Sequence, residues 1–153
     1  FLDPSACAVG ELRKTYQGES ALPFILQNGH RYFVYLALIL LLFHWKETVS
    51  SFWYEHKFGL GIGNIILLLD SAFLTIYVFS CHALRNIVGG RLNRFSCSSC
   101  GRARYHAWNF ISIFNERHGV WAWISLVTII IADLYVRLLT WGVIRDINTW
   151  KSF

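Results

Sequence analysis

The residue types most able to do chemistry in this sequence are concentrated in one window of cysteines and histidines. The window begins with the adjacent pair Cys81-His82, continues through Cys97 and Cys100 of a Cys-x-x-Cys turn, and ends at His106. The two residues between the cysteines of such a turn let both sulfurs point toward one metal ion. Neighbouring arginines offset the negative charge of bound thiolates. The window therefore predicts a metal site with thiolate and imidazole ligands.

The spacing within this window resembles a Rieske iron–sulfur signature. In that signature, a Cys/His pair and a later Cys-x-x-His pair share a two-iron cluster, and two histidines on one iron raise its reduction potential. This sequence differs at two points: Cys81 and His82 are adjacent, and the second pair ends in Cys100 instead of a histidine. The resemblance implies a [2Fe–2S] cluster. Its ligands would be Cys97, Cys100, His82 or Cys81, and His106 or His118.

Two other chemistries remain open for the same residues. A Cys-x-x-Cys turn with further cysteine or histidine ligands is also a common zinc site. The cysteines are alternatively free or disulfide-bonded thiols, although a cytoplasmic position disfavours a disulfide.

Histidines near the ends of apolar segments allow a further cofactor, haem b. A haem within the membrane needs two histidines on facing helices, and His82 and His118 are expected at the same membrane depth. His44 and His30 are interpreted instead as polar residues at the membrane interface, where an apolar body and a polar tip are both accommodated.

The elements that must position these ligands are three apolar segments, at residues 32–45, 58–80 and 120–139. The sequence is 55% hydrophobic and only 15% charged, whereas soluble domains carry about 25% charge. A helix crosses a bilayer in about 20 residues, and lipid tolerates only helices or closed barrels. We therefore predict an all-α fold, an integral membrane bundle of three transmembrane helices. The alternative, a very apolar soluble bundle, would have to bury all three helices completely.

The remaining sequence divides by composition and charge. Residues 1–30 are interpreted as an interfacial or partner-contacting segment, and residues 31–153 as the transmembrane anchor domain. The segment 81–118 holds six arginines and one glutamate. Because cytoplasmic segments are rich in Lys and Arg, we predict that 81–118 is a cytoplasmic metal-binding loop, that the N-terminus is also cytoplasmic, and that the C-terminus lies outside the plasma membrane. Topology thus accounts for the net charge of +5, and no nucleic-acid partner is predicted.

One acidic residue, Asp70, lies in the middle of the second apolar segment. Charges at this depth are rare and usually face a partner or a polar cavity. Asp70, Tyr77, Cys81 and Leu84 fall on one helical face, by spacings of seven, four and three residues. Asp70 is thus predicted to be a proton relay or quinone contact below the metal window, or else to form a hydrogen bond between helices.

Several stretches of the sequence together resemble the membrane anchor of succinate dehydrogenase or fumarate reductase, particularly the divergent anchors of actinobacteria and their relatives. The resemblance extends from about Asp3 to Arg145. The stretches that carry it are Cys-His-Ala-Leu-Arg-Asn-Ile-Val-Gly-Gly at 81–90, Asn-Glu-Arg-His at 115–118 and Asp-Leu-Tyr-Val-Arg-Leu at 133–138.

This resemblance implies a non-catalytic subunit of a respiratory complex. In that family, the anchor holds a flavoprotein subunit and an iron–sulfur subunit on the cytoplasmic face, and electrons from succinate pass through a flavin and three clusters to quinone. A second membrane anchor subunit is also expected. Arg85 would stabilise the quinone oxygen or the cluster charge, with Asp70 and Tyr77 as further quinone or proton contacts. The alternative functions are a haem b cytochrome subunit of another respiratory complex and a zinc-stabilised membrane scaffold.

Overall fold

The computed structural model of the protein describes residues 22, 24–89 and 101–150, apart from the side chains of residues 24, 25, 27 and 28. Within these residues the chain forms five helices and one short hairpin. The helices are α1 (Phe24–Ser50), α2 (Ile62–Phe79), α3 (His82–Gly89), α4 (Gly101–Asn115) and α5 (His118–Thr140), and the strands are β1 (Trp53–Tyr54) and β2 (Lys57–Phe58).

Three of the described helices are long and apolar enough to cross a membrane. The spans are Gly29–Ser50 within α1, Ile62–Phe79 and His118–Thr140. Only 17%, 22% and 11% of their apolar windows are buried within the chain. A helix that leaves most of its apolar side chains exposed requires lipid or another protein around it. The predicted all-α membrane fold with three transmembrane helices is confirmed.

The helix bounds differ from the apolar segments for local reasons. Helix α1 begins at Phe24 and so includes residues 24–30, which were assigned to the interfacial segment. The apolar centre of α1 is too short to span a bilayer alone. The polar residues on both sides of it extend the helix by continuing its backbone hydrogen bonds. Helix α2 starts four residues later than its apolar segment because residues 57–58 pair in a strand.

The hairpin between α1 and α2 closes with a two-residue turn. Strands β1 and β2 are antiparallel, and Tyr54 faces Lys57 across the ladder. Glu55 and His56 have φ angles of 47° and 64°. Positive φ at both central residues is the geometry of a type I′ turn, whose twist matches that of the strands.

The C-terminal segment after α5 is tied to the start of α2. Helix α5 ends in a Schellman arrangement around Gly142 (φ 72°), in which the N–H of Val143 donates to the carbonyl of Leu138 over 3.0 Å. The segment then returns to residues 57–62. There, Thr149 N–H donates to the Leu60 carbonyl over 2.9 Å, among other backbone and side-chain hydrogen bonds.

The segment 81–118, predicted to be a loop, contains two helices in its described part, α3 and α4. These helices were not predicted because α4 contains arginines and only short apolar stretches, and so it lacks the long hydrophobic run of a membrane-spanning helix. A small core joins α3 and α4 to the start of α1, with buried Val34, Cys81, Leu84 and Ile111 in contact. These helices are therefore packed elements that can position side chains.

The chain divides into two compact units. Unit 1 comprises Phe1–Leu38 and Val78–His118, and unit 2 comprises Ile39–Tyr77 and Gly119–Phe153. Helices α1, α2 and α5 contribute residues to both units.

Candidate functional site

A break between α2 and α3 positions the cysteine of unit 1. Helix α2 ends at Phe79 and α3 begins at His82, so Ser80 and Cys81 lie between the two helices. The Cys81 carbonyl accepts the hydrogen bond of Arg85 N–H over 3.0 Å, which makes Cys81 the residue from which α3 starts. Its thiol is buried, with 5% of the residue exposed. Because α2 stops before Cys81, the predicted continuous face from Asp70 to Leu84 is wrong.

Three side chains of unit 1 converge as a possible metal-binding group: His30, Cys81 and His118. One ligand atom of each lies within 4.8 Å of the others. The Cys81 sulfur is 3.5 Å from Nε2 of His30, and the two imidazole rings are edge to face with centroids 6.5 Å apart. Zinc bonds of about 2.0–2.3 Å place two tetrahedral ligands about 3.5 Å apart. The group therefore has the donor types and the spacing of neighbouring ligands on a metal.

A second layer of hydrogen bonds orients His118. Nδ1 of His118 lies 2.7 Å from the hydroxyl of Ser80, which is fully buried. The amide of Asn115 in turn donates to the Ser80 carbonyl over 2.7 Å. A partner on one ring nitrogen fixes the tautomer and the orientation of an imidazole that binds a metal through its other nitrogen.

The predicted ligands are distributed unevenly around this group. Cys81 and His118 belong to it, whereas Cys97 and Cys100 lie outside the described residues. His106 is exposed on α4, with its ring 5.8 Å from that of Tyr105.

His82 follows Cys81 but is not one of the three grouped residues. It is half-buried and hydrogen-bonded to Asn115. Burial lowers the pKa of His82 and the positive charge of Arg85 adds to this, while the bond to Asn115 opposes them. His82 is thus held mainly as a neutral imidazole near pH 7.

His30 is the member that sequence reasoning assigned to another role. It lies 51 residues before Cys81 and was interpreted as an interfacial residue. The sequence contained one indication of this contact, because the predicted topology places His30 and His118 on the same side of the membrane. Spacing alone does not show that α1 turns His30 toward Cys81.

Arg85 of α3 is fixed against α4. Its Nε donates to the Ser112 hydroxyl over 2.8 Å, and its guanidinium carbon lies 4.6 Å from the centre of the Trp108 ring. A cation above an indole face is attracted by the ring quadrupole. The guanidinium is thus held in one plane and joins the two helices.

In unit 2, Asp70 forms hydrogen bonds to two other helices. Its Oδ2 is 2.8 Å from Nε2 of His44 on α1, and its Oδ1 accepts from the Thr128 hydroxyl of α5 over 2.8 Å. The predicted hydrogen bond between helices is therefore present, and His44 has a specific partner. Tyr77, the other predicted contact on α2, is half-buried.

Unit 2 also contains a cavity of about 540 Å³ between the start of α2 and the end of α5. The Tyr135 hydroxyl donates to Oδ1 of Asp146 over 2.6 Å at its wall. The other lining residues are Ser51, Trp53, Tyr54, Gly63, Asn64, Ile66, Leu67, Ala132, Val136, Leu139, Asn148 and Trp150.

Comparison with known proteins relates this architecture to one family. The family model for actinobacterial succinate dehydrogenase subunit SdhC matches residues 1–142. Among solved structures, a chain of the Mycobacterium smegmatis Sdh1 complex in the apo form is 41% identical, with a TM-score of 0.75. That match covers 94% of this chain and 53% of the other, so this chain spans about half the length of its relative. No curated protein matches the sequence.

The predicted family is thus confirmed by a family model that matches most of the sequence and by a solved structure that is similar over 94% of this chain. This chain belongs to the family of actinobacterial succinate dehydrogenase SdhC membrane subunits.

Proposed function

We propose that this chain anchors a succinate dehydrogenase complex in the plasma membrane and passes electrons toward quinone through a [2Fe–2S] centre in unit 1. Family membership and the three apolar helices support the anchoring role. The similar chain comes from a complex, Sdh1, which supports partnership with a flavoprotein subunit, an iron–sulfur subunit and a second membrane anchor. The N-terminus and segment 81–118 would face the cytoplasm, and the C-terminus would lie outside.

The observation that carries this proposal is the convergence of His30, Cys81 and His118. The three residues come from α1, the α2–α3 break and the first residue of α5. Two imidazoles and one thiolate form the mixed donor set that distinguishes a Rieske-type centre from an all-cysteine cluster. A sulfur beside both imidazoles fits such a centre better than a haem with two histidine ligands.

Different residues of this chain would supply the ligands of the two-iron centre and hold those ligands in position. His30 and His118 would supply the imidazole ligands, and Ser80 would hold Nδ1 of His118 so that Nε2 faces the metal. Cys81 would supply one thiolate, with Cys97 or Cys100 as the second. Once bound, a two-iron centre supplies one-electron transfer.

Other predicted residues have supporting roles in this proposal. Arg85, held by Ser112 and Trp108, would stabilise the negative charge of the centre or of a quinone oxygen. Asp70 and Tyr77 would serve quinone or proton chemistry in unit 2. His82 and His106 stay predicted ligands, in competition with His30 for the imidazole positions.

The same donor set supports a second candidate, a structural zinc site. The 3.5 Å separation between the Cys81 sulfur and Nε2 of His30 is the spacing of two ligands on one tetrahedral zinc, whereas the thiolates and imidazoles of a Rieske-type centre bind different irons. In that case, unit 1 would be stabilised by the metal and would carry no electrons.

Metal analysis of the purified complex distinguishes the two candidates. We expect iron in excess of that held by the soluble subunits, and a reducible two-iron signal in low-temperature electron paramagnetic resonance. Cys81→Ser and His30→Ala should each remove this signal, as should the double change Cys97→Ser/Cys100→Ser. His56→Asn, in the exposed hairpin turn, is the matched histidine control and should retain it.

The alternatives give different results. Zinc in place of the additional iron would support the scaffold function, and a haem absorption band would support the cytochrome. A signal that survives His30→Ala but disappears in His82→Ala or His106→Ala would assign the imidazole ligands to the predicted window instead.

A further inference from the structure

Asp70 is an unusual residue for its position in α2. It lies within the span Ile62–Phe79, and only 1% of it is exposed. Burying a carboxylate at this depth is costly, and such residues usually mark proton or ion pathways. A hydrogen bond between helices needs no carboxylate. Thr48 and Ser71 make one with two hydroxyls, 2.6 Å apart, between the same helices α1 and α2.

The surroundings of the carboxylate contain one ionisable partner. On α1 it faces His44, whose Nε2 is 2.8 Å from Oδ2, and on α5 it faces the uncharged hydroxyl of Thr128. Its neighbour on α2 is Ser71, whose hydroxyl is bonded to Thr48. Among the described residues, no other charged or titratable side chain is bonded or ion-paired to His44 or Asp70.

The charge of this pair depends on how many protons it holds. With one proton beyond the single N–H of a neutral imidazole, the pair is neutral overall, either as aspartate and imidazolium or as carboxylic acid and imidazole. With none it carries one negative charge, and with two it carries one positive charge. A low-dielectric environment opposes both net charges, and the protons of two groups this close belong to the pair and not to either residue alone.

The two residues differ in their access to the outside of the chain. The side chain of Asp70 is 1% exposed, whereas that of His44 is 31% exposed. When Asp70 is ionised and the imidazole is neutral, a proton that arrives at Nδ1 of His44 makes the ring cationic, and the ring can then release the proton on Nε2 to Oδ2 of Asp70. The reverse steps return the proton, so protons reach and leave the buried carboxyl group of Asp70 through the imidazole of His44.

The geometry points to a proton-transfer site formed by His44 and Asp70, which takes up and releases one proton at a time within the membrane-spanning part of unit 2. We assign its proton to quinone reduction, in which a quinone gains two electrons and two protons to become a quinol. That assignment rests on the proposed function, whereas the existence of the proton-binding pair does not.

Infrared difference spectroscopy of the purified complex tests the pair directly. Spectra recorded at acid and alkaline pH should contain the C=O band of a protonated carboxyl together with imidazole bands. Asp70→Asn should remove the carboxyl band, and His44→Gln should shift its titration. Asparagine and glutamine preserve hydrogen bonding but cannot exchange this proton. The matched control Thr48→Val/Ser71→Ala removes both hydroxyls of the neighbouring polar pair and should leave the carboxyl band in place.

Quinone reductase rates across a pH series then test the assignment. We expect Asp70→Asn and His44→Gln to reduce the rate by about 100-fold, as for loss of a proton-transfer group, and most strongly at alkaline pH, where water supplies fewer protons. Assembly of each variant is verified by the amounts of the partner subunits that copurify.

The two readouts separate three kinds of failure. If Asp70→Asn leaves the infrared difference spectrum unchanged, the pair binds no exchangeable proton and the inference is overturned. If the carboxyl band titrates but the assembled variants keep the control's pH–rate profile, the assignment to quinone reduction is wrong. If the wild-type complex reduces no quinone, the proposed function fails, and the infrared result still decides whether the pair exchanges a proton.

Discussion

The carboxylate of Asp146 occupies the space that a side chain on Gly61 would fill. A Cβ atom at Gly61 would collide with Oδ2 of Asp146. Gly61 immediately precedes α2, and Oδ1 of Asp146 accepts the Gly63 N–H over 3.2 Å. The Asn64 side chain completes the arrangement by accepting the Gly61 N–H over 2.7 Å. Asp146 thus serves as the N-cap side chain that Gly61 lacks, supplied from the other end of unit 2.

This arrangement predicts that the effect of a side chain at position 61 depends on position 146. Asp146→Ala should lower the free energy of unfolding by about 0.5–2 kcal/mol, because the start of α2 loses its cap. Gly61→Ser alone should also destabilise the protein, because the new side chain displaces Asp146. In the Asp146→Ala background, however, Gly61→Ser restores a local cap and should be stabilising. Thermal unfolding of the complex in detergent measures the wild type and all three variants.

A change at another helix start controls for glycine replacement itself. Gly119→Ala lies in α5, where an added Cβ meets nothing within 4 Å, and should be neutral or stabilising. If the effects of Gly61→Ser and Asp146→Ala simply add, the two residues do not share one capping position.

The hairpin turn offers a stabilising change. Glu55 and His56 both adopt left-handed backbone conformations, which cost about 1–2 kcal/mol per residue for ordinary side chains. Asn-Gly is the preferred pair for this turn type, so Glu55→Asn/His56→Gly should raise the free energy of unfolding by about 1 kcal/mol. Thermal unfolding is again the measurement. The opposite change, Glu55→Val/His56→Val, should destabilise the hairpin, and equal unfolding temperatures for both doubles would argue against a type I′ turn.

Ser80 should affect metal retention without being a ligand. Loss of a hydrogen bond to a metal-binding imidazole typically weakens metal affinity 10–100-fold. We therefore expect Ser80→Ala, which removes the partner of His118 Nδ1, to lose metal to a chelator at a 10–100-fold lower concentration. Ser125→Ala, a buried serine of unit 2 whose hydroxyl donates to the Ala122 carbonyl, is the matched control and should behave like the wild type. Equal metal loss from both serine variants would contradict the proposed role of Ser80.

Arg85 should not tolerate replacement by lysine. Its Nε bond to Ser112 and its position over Trp108 both depend on a planar guanidinium. Arg85→Lys should destabilise the packing of α3 on α4 by about 1 kcal/mol, seen as faster amide hydrogen exchange in α4. A double-mutant cycle with Trp108→Leu should give a coupling energy of about 0.5–1 kcal/mol for the cation–π contact. A coupling energy of zero would show that the guanidinium gains nothing from the ring.

The sequence predicted the membrane-spanning helices because their signal is local and continuous. Lipid requires long apolar runs, and α2 and α5 differ from the predicted segments by only a few residues at each end. The extra turns of α1 and the short helices α3 and α4 lack that signal, since their polar residues also suit an interface. Tertiary packing determines these elements.

The candidate site was harder to predict because it depends on where one helix ends. An α2 that continued past Phe79 would place Cys81 on the face of Asp70, whereas the actual break places the thiol beside His30. Periodicity does not reveal such a break when no proline or glycine marks it. The partnership of Asp70 with His44 likewise depends on the packing of α1 against α2 within unit 2.

The position of His44 also bears on how the chain enters the membrane. During synthesis, α1 emerges before α2, so the imidazole partner of Asp70 is already available when the helix that carries the carboxylate is inserted. Thr128 follows only with α5. Insertion of α1 and α2 as a paired helical hairpin would spare the nascent chain from exposing an unpartnered acid to lipid. Helix α5 would then dock onto a pair in which the carboxylate already has its partner on α1.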